Sequence, residues 1–225
     1  MVNVTFFGAA SSGKTSIIKR YVQGTTVTEH IPTIEDVYNT SIDLEEKEIY
    51  MKIVDTTSDE GLASMRETHF SSSDVIVYVY SVEDEDAFKR AQEDIGVCLS
   101  IISKNIKELK DYPTIFIVAN KIDTKSRTVS REEGKLLLDK VRGVCKTNYF
   151  ETSALENLKV NFLFESIAKG VVKSTIKQRS SSAKPRIRNE KRNGMRLEKP
   201  IVFYEPIEEP KPRFLSRLSF KKIHV

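Results

Sequence analysis

The chain has 225 residues, of which 39% are apolar, enough for one sizeable α/β domain with its own core and a stretch left over. Two cysteines, Cys98 and Cys145, in apolar settings exclude a disulfide scaffold or a cysteine metal site, and the longest apolar stretch, "VIVYVYSV" at 75–82, is too short to span a bilayer. The net charge of +4 hides an asymmetry: 15 basic and 5 acidic residues from Lys173 onward give +10, so residues 1–172 carry −6.

Apolar runs bounded by turn signals alternate with amphipathic stretches through the first 172 residues, the signature of βαβ units. The pattern predicts strands at 2–7, 37–44, 48–54, 75–81, 114–120 and 147–151. Helices are expected at 14–23, 86–103, 131–142 and 158–172, with a short one at 62–69. The second and third strands are joined only by "EEKE", too few residues for a helical crossover, so they form a hairpin. One strand then runs antiparallel to an otherwise parallel sheet. Residues 173–225 hold five of the seven prolines and the stretch "RSSSAKPR", and read as a basic, Pro/Ser-containing, largely disordered tail.

"GAASSGKT", Gly8 to Thr15, fits G-x-x-x-x-G-K-[ST] between a strand and a helix. Gly8 and Gly13 let the backbone turn its N–H groups toward a phosphate, and the helix behind adds its positive end. Lys14 would reach the β and γ phosphates, and the Thr15 hydroxyl would ligate Mg²⁺. This motif alone does not choose between ATP and GTP. "NKID" at 120–123 and "ETSAL" at 151–155 stand at strand ends, where a doubly wound sheet holds its ligand. The Asp123 carboxylate can accept from the N1–H and 2-amino groups of guanine, which adenine lacks, and a site built on such an acceptor penalises the wrong base.

In this order and spacing, "GAASSGKT", "IPTIED", "IVDTT", "NKID" and "ETSA" resemble the Ras-type small GTPases over nearly all of residues 1–172, and "PTIED" resembles the Ras branch. The resemblance implies the P-loop small GTPase fold, a six-stranded, mostly parallel sheet with five helices on both faces, and a GTP/GDP switch using Mg²⁺. It implies a nucleotide-binding set of Gly8, Ser11, Ser12, Gly13, Lys14, Thr15, Ser16, Thr33, Ser58, Asn120, Lys121, Asp123, Ser153, Ala154 and Leu155. Thr15, Thr33 and Asp55 would hold the metal, Asp55 through water. Lys14, Thr33 and the residue at 59 would serve hydrolysis. The switch loops would be 30–38 and 57–69, with effector proteins meeting 30–38 and with an exchange factor and an activating protein as regulators.

Several residues depart from the family pattern. Ser58 replaces a glycine whose N–H reaches the γ phosphate, and Asp59 replaces the glutamine that orients the attacking water. An amide donates and accepts at once, whereas an ionised aspartate only accepts and adds charge beside an anion. Ala10 and Ser11 stand where glycines are common, and a methyl at position 10 crowds the space of an arginine finger. Thr26 takes the place of an aromatic that packs on guanine.

The sequence therefore reads as a GTP/GDP-binding switch in intracellular signal transduction with slow intrinsic hydrolysis. The alternative is a GTP-loaded or nucleotide-poor pseudo-GTPase, an effector-binding module regulated by abundance or tail phosphorylation; an ATP-using P-loop kinase ranks third. No N-terminal glycine or C-terminal cysteine offers a lipid site. Besides a plain solvated extension, the tail suggests peripheral contact with anionic membrane, through Phe214, Leu215, Leu218 and Phe220 among Arg213, Arg217, Lys221 and Lys222. Nuclear entry ranks below that, and nucleic acid is disfavoured because no folded nucleic-acid motif supports it. The chain is expected to be soluble and cytoplasmic, with the periphery of the plasma membrane and then the nucleus as its further locations.

Overall fold

The computed structural model describes residues 1–25, 33–44, 47–56, 63–107 and 112–182, tracing the backbone alone at 63–65 and 173–182. Its elements follow in the order β1 (Val2–Phe7), α1 (Lys14–Gln23), β2 (Glu35–Leu44), β3 (Lys47–Thr56), α2 (Ala63–Ser72), β4 (Val75–Ser81), α3 (Glu85–Asn105), β5 (Thr114–Asn120), α4 (Arg131–Arg142), β6 (Thr147–Glu151) and α5 (Val160–Ser182). The strands form one sheet in the order β2-β3-β1-β4-β5-β6. β2 and β3 are antiparallel and every other neighbouring pair is parallel. The α/β architecture expected from the sequence is the one observed.

Both faces of the sheet are covered, which is why β4 and β5 read as continuous apolar runs. Along β4, Val75, Val77 and Val79 point into a core shared with Ile17, Ile18, Phe164 and Ile167 of α1 and α5. The alternate residues Ile76, Tyr78 and Tyr80 point into the opposite core, with Phe70 of α2, Phe88 and Ile102 of α3 and Leu137 of α4. The two-residue period of a strand thus sorts one apolar run between two layers. Tyr21 lies flat on Phe164, ring centroids 3.8 Å apart, and ties α1 to α5.

Element ends differ from expectation where backbone pairing outlasts the apolar pattern. The β2–β3 ladder runs from Leu44↔Lys47 out to Glu35↔Thr56, past Asp36 and Asp55, whose charge ended the alternation in the sequence. α3 adds a residue at its start and two at its end. Asp84 caps it by accepting from the Ala87 amide at 2.7 Å, and such a cap is worth ~1 kcal/mol. α2 runs three residues past the expected end at 69. α5 starts two residues later than expected and runs to Ser182, ten past the expected end at 172, because no Gly or Pro interrupts 173–182. The rest of the predicted tail lies outside the described residues, and among those described no helix is long and apolar enough to cross a membrane.

Candidate functional site

β1 is the strand at which the order of strands reverses, with β3 on one side and β4 on the other. The chain leaves its carboxyl end through Gly8–Gly13 and enters α1 at Lys14. Two glycines make this path feasible. A Cβ at Gly8 (φ +136°) would stand 2.0 Å from the Val79 carbonyl oxygen, and one at Gly13 (φ +95°) would stand 2.1 Å from Asn120 Nδ2. Ser11 also takes a left-handed conformation, φ 57°, which gives a physical reason for glycine being common there in the family. Gly13 is the N-cap of α1; unlike α3 and α4, this helix has neither a side-chain cap nor an acid in its first turn. Its N-terminal amides are left for an anion.

Lys14 is 7% exposed and folds back to donate to the carbonyls of Gly8 at 2.8 Å and Ala9 at 3.1 Å. Burial pushes its amine down to about 8, against the pull of the Asp55 charge and with a smaller push from Arg66. Thr15 Oγ1 donates to Asp55 Oδ2 at 2.5 Å and lies 3.2 Å from Thr33 Oγ1. The three expected metal ligands are therefore gathered from α1, the segment just before β2 and the end of β3. Burial raises the Asp55 carboxyl above its usual range, with the Thr15 hydrogen bond and the Lys14 charge opposing.

On the base side, Asn120 is 2% exposed and links three segments. Its Nδ2 donates to the Ser12 carbonyl at 3.0 Å, while Oδ1 accepts from Thr152 Oγ1 at 3.2 Å and the Ala154 amide at 3.3 Å. Backbone bonds Thr152 N→Ala119 O and Ile122 N→Thr152 O hold the "NKID" and "ETSAL" segments side by side. Ser153 is fully buried and exchanges both backbone bonds with Leu158, while its Oγ accepts from the Glu156 amide. Lys121 sits at φ 63° and pairs with Glu83 at 3.4 Å; Leu155 is 67% exposed. Ser16 is half-buried in the first turn of α1. Ser58 and Asp59, with Thr26, lie outside the described residues, as do 30–32 of the expected effector stretch.

Buried polar atoms test the fit of a nucleotide and its metal. Ser12 Oγ, Asp55 Oδ1 and Asp123 Oδ1 are buried without a hydrogen-bond partner among the described residues. Native proteins satisfy such atoms, and these three belong to the expected nucleotide and metal residues, where a bound group would complete the set; Tyr21 Oη and Thr147 Oγ1, buried without a partner among the described residues as well, lie outside it. The donor set at Thr15, Thr33 and Asp55 is all oxygen, which suits a hard cation such as Mg²⁺. Among the described residues no cluster of three His, Cys, Asp or Glu offers another metal centre. An open cleft of about 450 Å³ beside the loop, lined by Ser11, Lys121 and the acids at 83–86, repels phosphate and is not its seat.

Three features were missed in the sequence. Arg20 of α1 bonds the carbonyls of Ala154 and Leu155, 134 and 135 residues away. His69 of α2 meets Glu35 of β2 at 2.8 Å. Arg66 of α2 pairs with Asp94 of α3 at 3.0 Å, and Asp94 accepts from Tyr78 Oη at 2.5 Å. Each joins residues far apart in the chain, and no local spacing signals such contacts.

Fold and loop together define a protein with the P-loop small GTPase architecture. A model of the Ras family matches residues 3–173. The chain is 30% identical over 164 residues to "GTP-binding protein Di-Ras1" of Homo sapiens, covering 73% of this chain and 78% of that protein. It is 31% identical over 166 residues to "GTP-binding protein drn-1" of Caenorhabditis elegans, covering 73% and 72%, and 32% identical over 162 residues to "GTP-binding protein Rhes" of Mus musculus, covering 70% and 59%. The chain belongs to the Ras family.

Proposed function

We propose that this protein is a guanine-nucleotide-binding switch of intracellular signalling whose intrinsic GTP hydrolysis is slow. The observation that carries the reading is a pair of buried carboxylate oxygens without a partner among the described residues, Asp55 Oδ1 beside the Thr15 hydroxyl and Asp123 Oδ1 three residues beyond Asn120. One suits a hydrated cation and the other the N–H groups of guanine. Lys14 and the uncapped start of α1 supply positive charge for the phosphates between them. Bound Mg²⁺ would be held by Thr15, Thr33 and Asp55, and would neutralise charge on the phosphate oxygens. The relatives described as GTP-binding proteins support the same ligand.

Slow hydrolysis follows from Ser58, Asp59, Ala10 and Ser11, which together remove the water-orienting amide and crowd the phosphate. We assign effector contact to 30–38; of these, 35–38 lie on β2 at the edge of the sheet, and Ile34 is 75% and Val37 47% exposed. The basic tail beyond 182 is assigned to peripheral contact with anionic lipid on the cytoplasmic side.

Single-turnover hydrolysis of GTP loaded onto the full chain with Mg²⁺, compared with Asp59→Gln, tests the proposal. The reading requires retained GTP, slow cleavage by the natural chain and faster cleavage by the variant. GTP retained with no cleavage at all would make the protein a GTP-held binding module. Failure to retain guanine nucleotide would refute the reading.

A further inference from the structure

We propose that Arg20 is a positioning residue for the base-reading loop, holding the Ala154–Leu155 peptide so that guanine is kept tightly and selectively. The inference rests on the nucleotide-binding reading above.

Arg20 is half-buried in the last turn of α1. Its Nε donates to the Ala154 carbonyl at 2.8 Å and its Nη2 to the Leu155 carbonyl at 2.8 Å. Its Nη1 donates to the Gly24 carbonyl at 3.2 Å, where α1 ends in a left-handed residue. Among the described residues its donors meet three carbonyls and no carboxylate. An arginine at a helix end is well served by water. Here its planar fork is committed to the end of its own helix and to a peptide 134 residues further along the chain, a geometry that a lysine ammonium cannot reproduce.

The loop it grips needs an anchor. Between β6 and α5 the chain passes Asn157 at φ 55°, which asparagine tolerates, and Lys159 at φ 58°, which is uncommon for lysine, and Leu155 projects into solvent at 67% exposure. The same Ala154 that gives its carbonyl to Arg20 gives its amide to Asn120 Oδ1, and Asn120 Nδ2 holds the Ser12 carbonyl. A continuous hydrogen-bonded path therefore runs from Arg20 through the 154 peptide and Asn120 to the phosphate loop. Asp123, the expected guanine reader, follows Ile122, whose amide is bonded to Thr152 two residues before Ala154. Releasing the Arg20 end lets the 152–155 segment shift, and Asn120 and Asp123 shift with it.

The test uses the full chain as natural protein, Arg20→Lys and Arg20→Ala, each loaded with fluorescent GDP. The readouts are the dissociation rate after a chase, competition by GDP, IDP and ADP, and melting of the nucleotide-free protein. IDP lacks the 2-amino group and ADP presents the wrong base edge. Arg20→Ala is expected to release GDP about tenfold faster, as losing charge-assisted hydrogen bonds of this kind allows. Its preference for GDP over IDP and ADP should fall as well, and Arg20→Lys should lie between. Unchanged release and preference in Arg20→Ala would overturn the inference. So would equal weakening of all three nucleotides with a lowered melting point, since that marks a purely structural role. A natural chain that binds GDP, with variants indistinguishable from it, defeats this inference alone; a natural chain that binds no guanine nucleotide defeats the reading beneath it too.

Discussion

The Thr15 hydroxyl donates to Asp55 Oδ2 at 2.5 Å, while Asp55 Oδ1 is buried and finds no partner among the described residues. A buried carboxylate left half satisfied is expensive for the protein alone, by several kcal/mol before relaxation, and becomes favourable when a cation arrives. Asp55→Asn separates the two effects. The amide can still accept from Thr15, so the nucleotide-free variant should melt at or above the natural temperature. Its nucleotide release should no longer respond to Mg²⁺: chelation with EDTA should speed release from the natural chain and leave the variant's rate nearly unchanged. A variant that keeps the full EDTA response would remove Asp55 from the metal site.

Asn120 yields a second prediction because its two ends cannot be exchanged. Nδ2 must donate to the Ser12 carbonyl, and Oδ1 must accept from Thr152 and Ala154. Asn120→Asp has the same shape but sets a carboxylate oxygen against that carbonyl, in a site 2% exposed. Losing a buried donor of this kind costs roughly 1–3 kcal/mol. The expected result is a lower melting temperature together with loss of co-purified nucleotide, read by differential scanning fluorimetry and by chromatography of the extracted base. A variant as stable as the natural protein would mean that the contact with the phosphate loop contributes nothing.

How much of this was legible in the sequence depends on the range of the contact. "GAASSGKT" and "NKID" announced the loop and its strand-end partners because local chemistry at fixed spacing dictates both, and the strand and helix periods placed every element of the sheet. The ends of β2 and β3 at Asp36 and Asp55 leave no mark in the sequence, since backbone pairing is indifferent to side-chain alternation. Arg20 was invisible for a different reason. It reads as an ordinary basic residue in the last turn of a helix, and its meaning comes from a loop 134 residues later. The same holds for His69 with Glu35 and Arg66 with Asp94, which fasten α2 to β2 and α3.

Two helical glycines predict effects of opposite sign. Gly96 lies exposed in α3 with nothing within 4 Å of an added Cβ, so Gly96→Ala should stabilise by about 0.5–1 kcal/mol through helix propensity. Gly134 lies buried in α4, where a Cβ would meet Tyr80 Oη at 2.4 Å and Tyr149 Cε2 at 2.6 Å. Both rings are packed between the sheet and its helices, so Gly134→Ala should destabilise by ~1–3 kcal/mol despite the same propensity gain. For a domain of this size that is a fall of several degrees in melting temperature. Equal shifts for the two variants would show that the tyrosines yield freely to the new methyl.

Glu151 gives the pH prediction. Its carboxylate receives Arg127 Nη2 at 2.7 Å and Tyr149 Oη at 3.2 Å, with Arg131 Nε at 3.6 Å. Burial alone would raise its pKa, but the Arg127 hydrogen bond and the two guanidinium charges outweigh burial and hold it below the usual glutamate range. A carboxyl whose folded pKa is depressed binds its proton first in the unfolded chain. Its contribution is complete above the unfolded value, ~4.3, and is lost as pH falls through the lower folded value. Glu151→Gln removes that dependence. The natural chain should therefore exceed the variant in stability at pH 6, and the gap should narrow steadily below pH 4.3 in urea melts across that range. A gap that stayed constant down to pH 3 would mean that the two arginines leave the carboxylate at its ordinary acidity. The Arg127–Glu151 contact, 12% exposed on the glutamate side, would then be a matter of packing rather than charge.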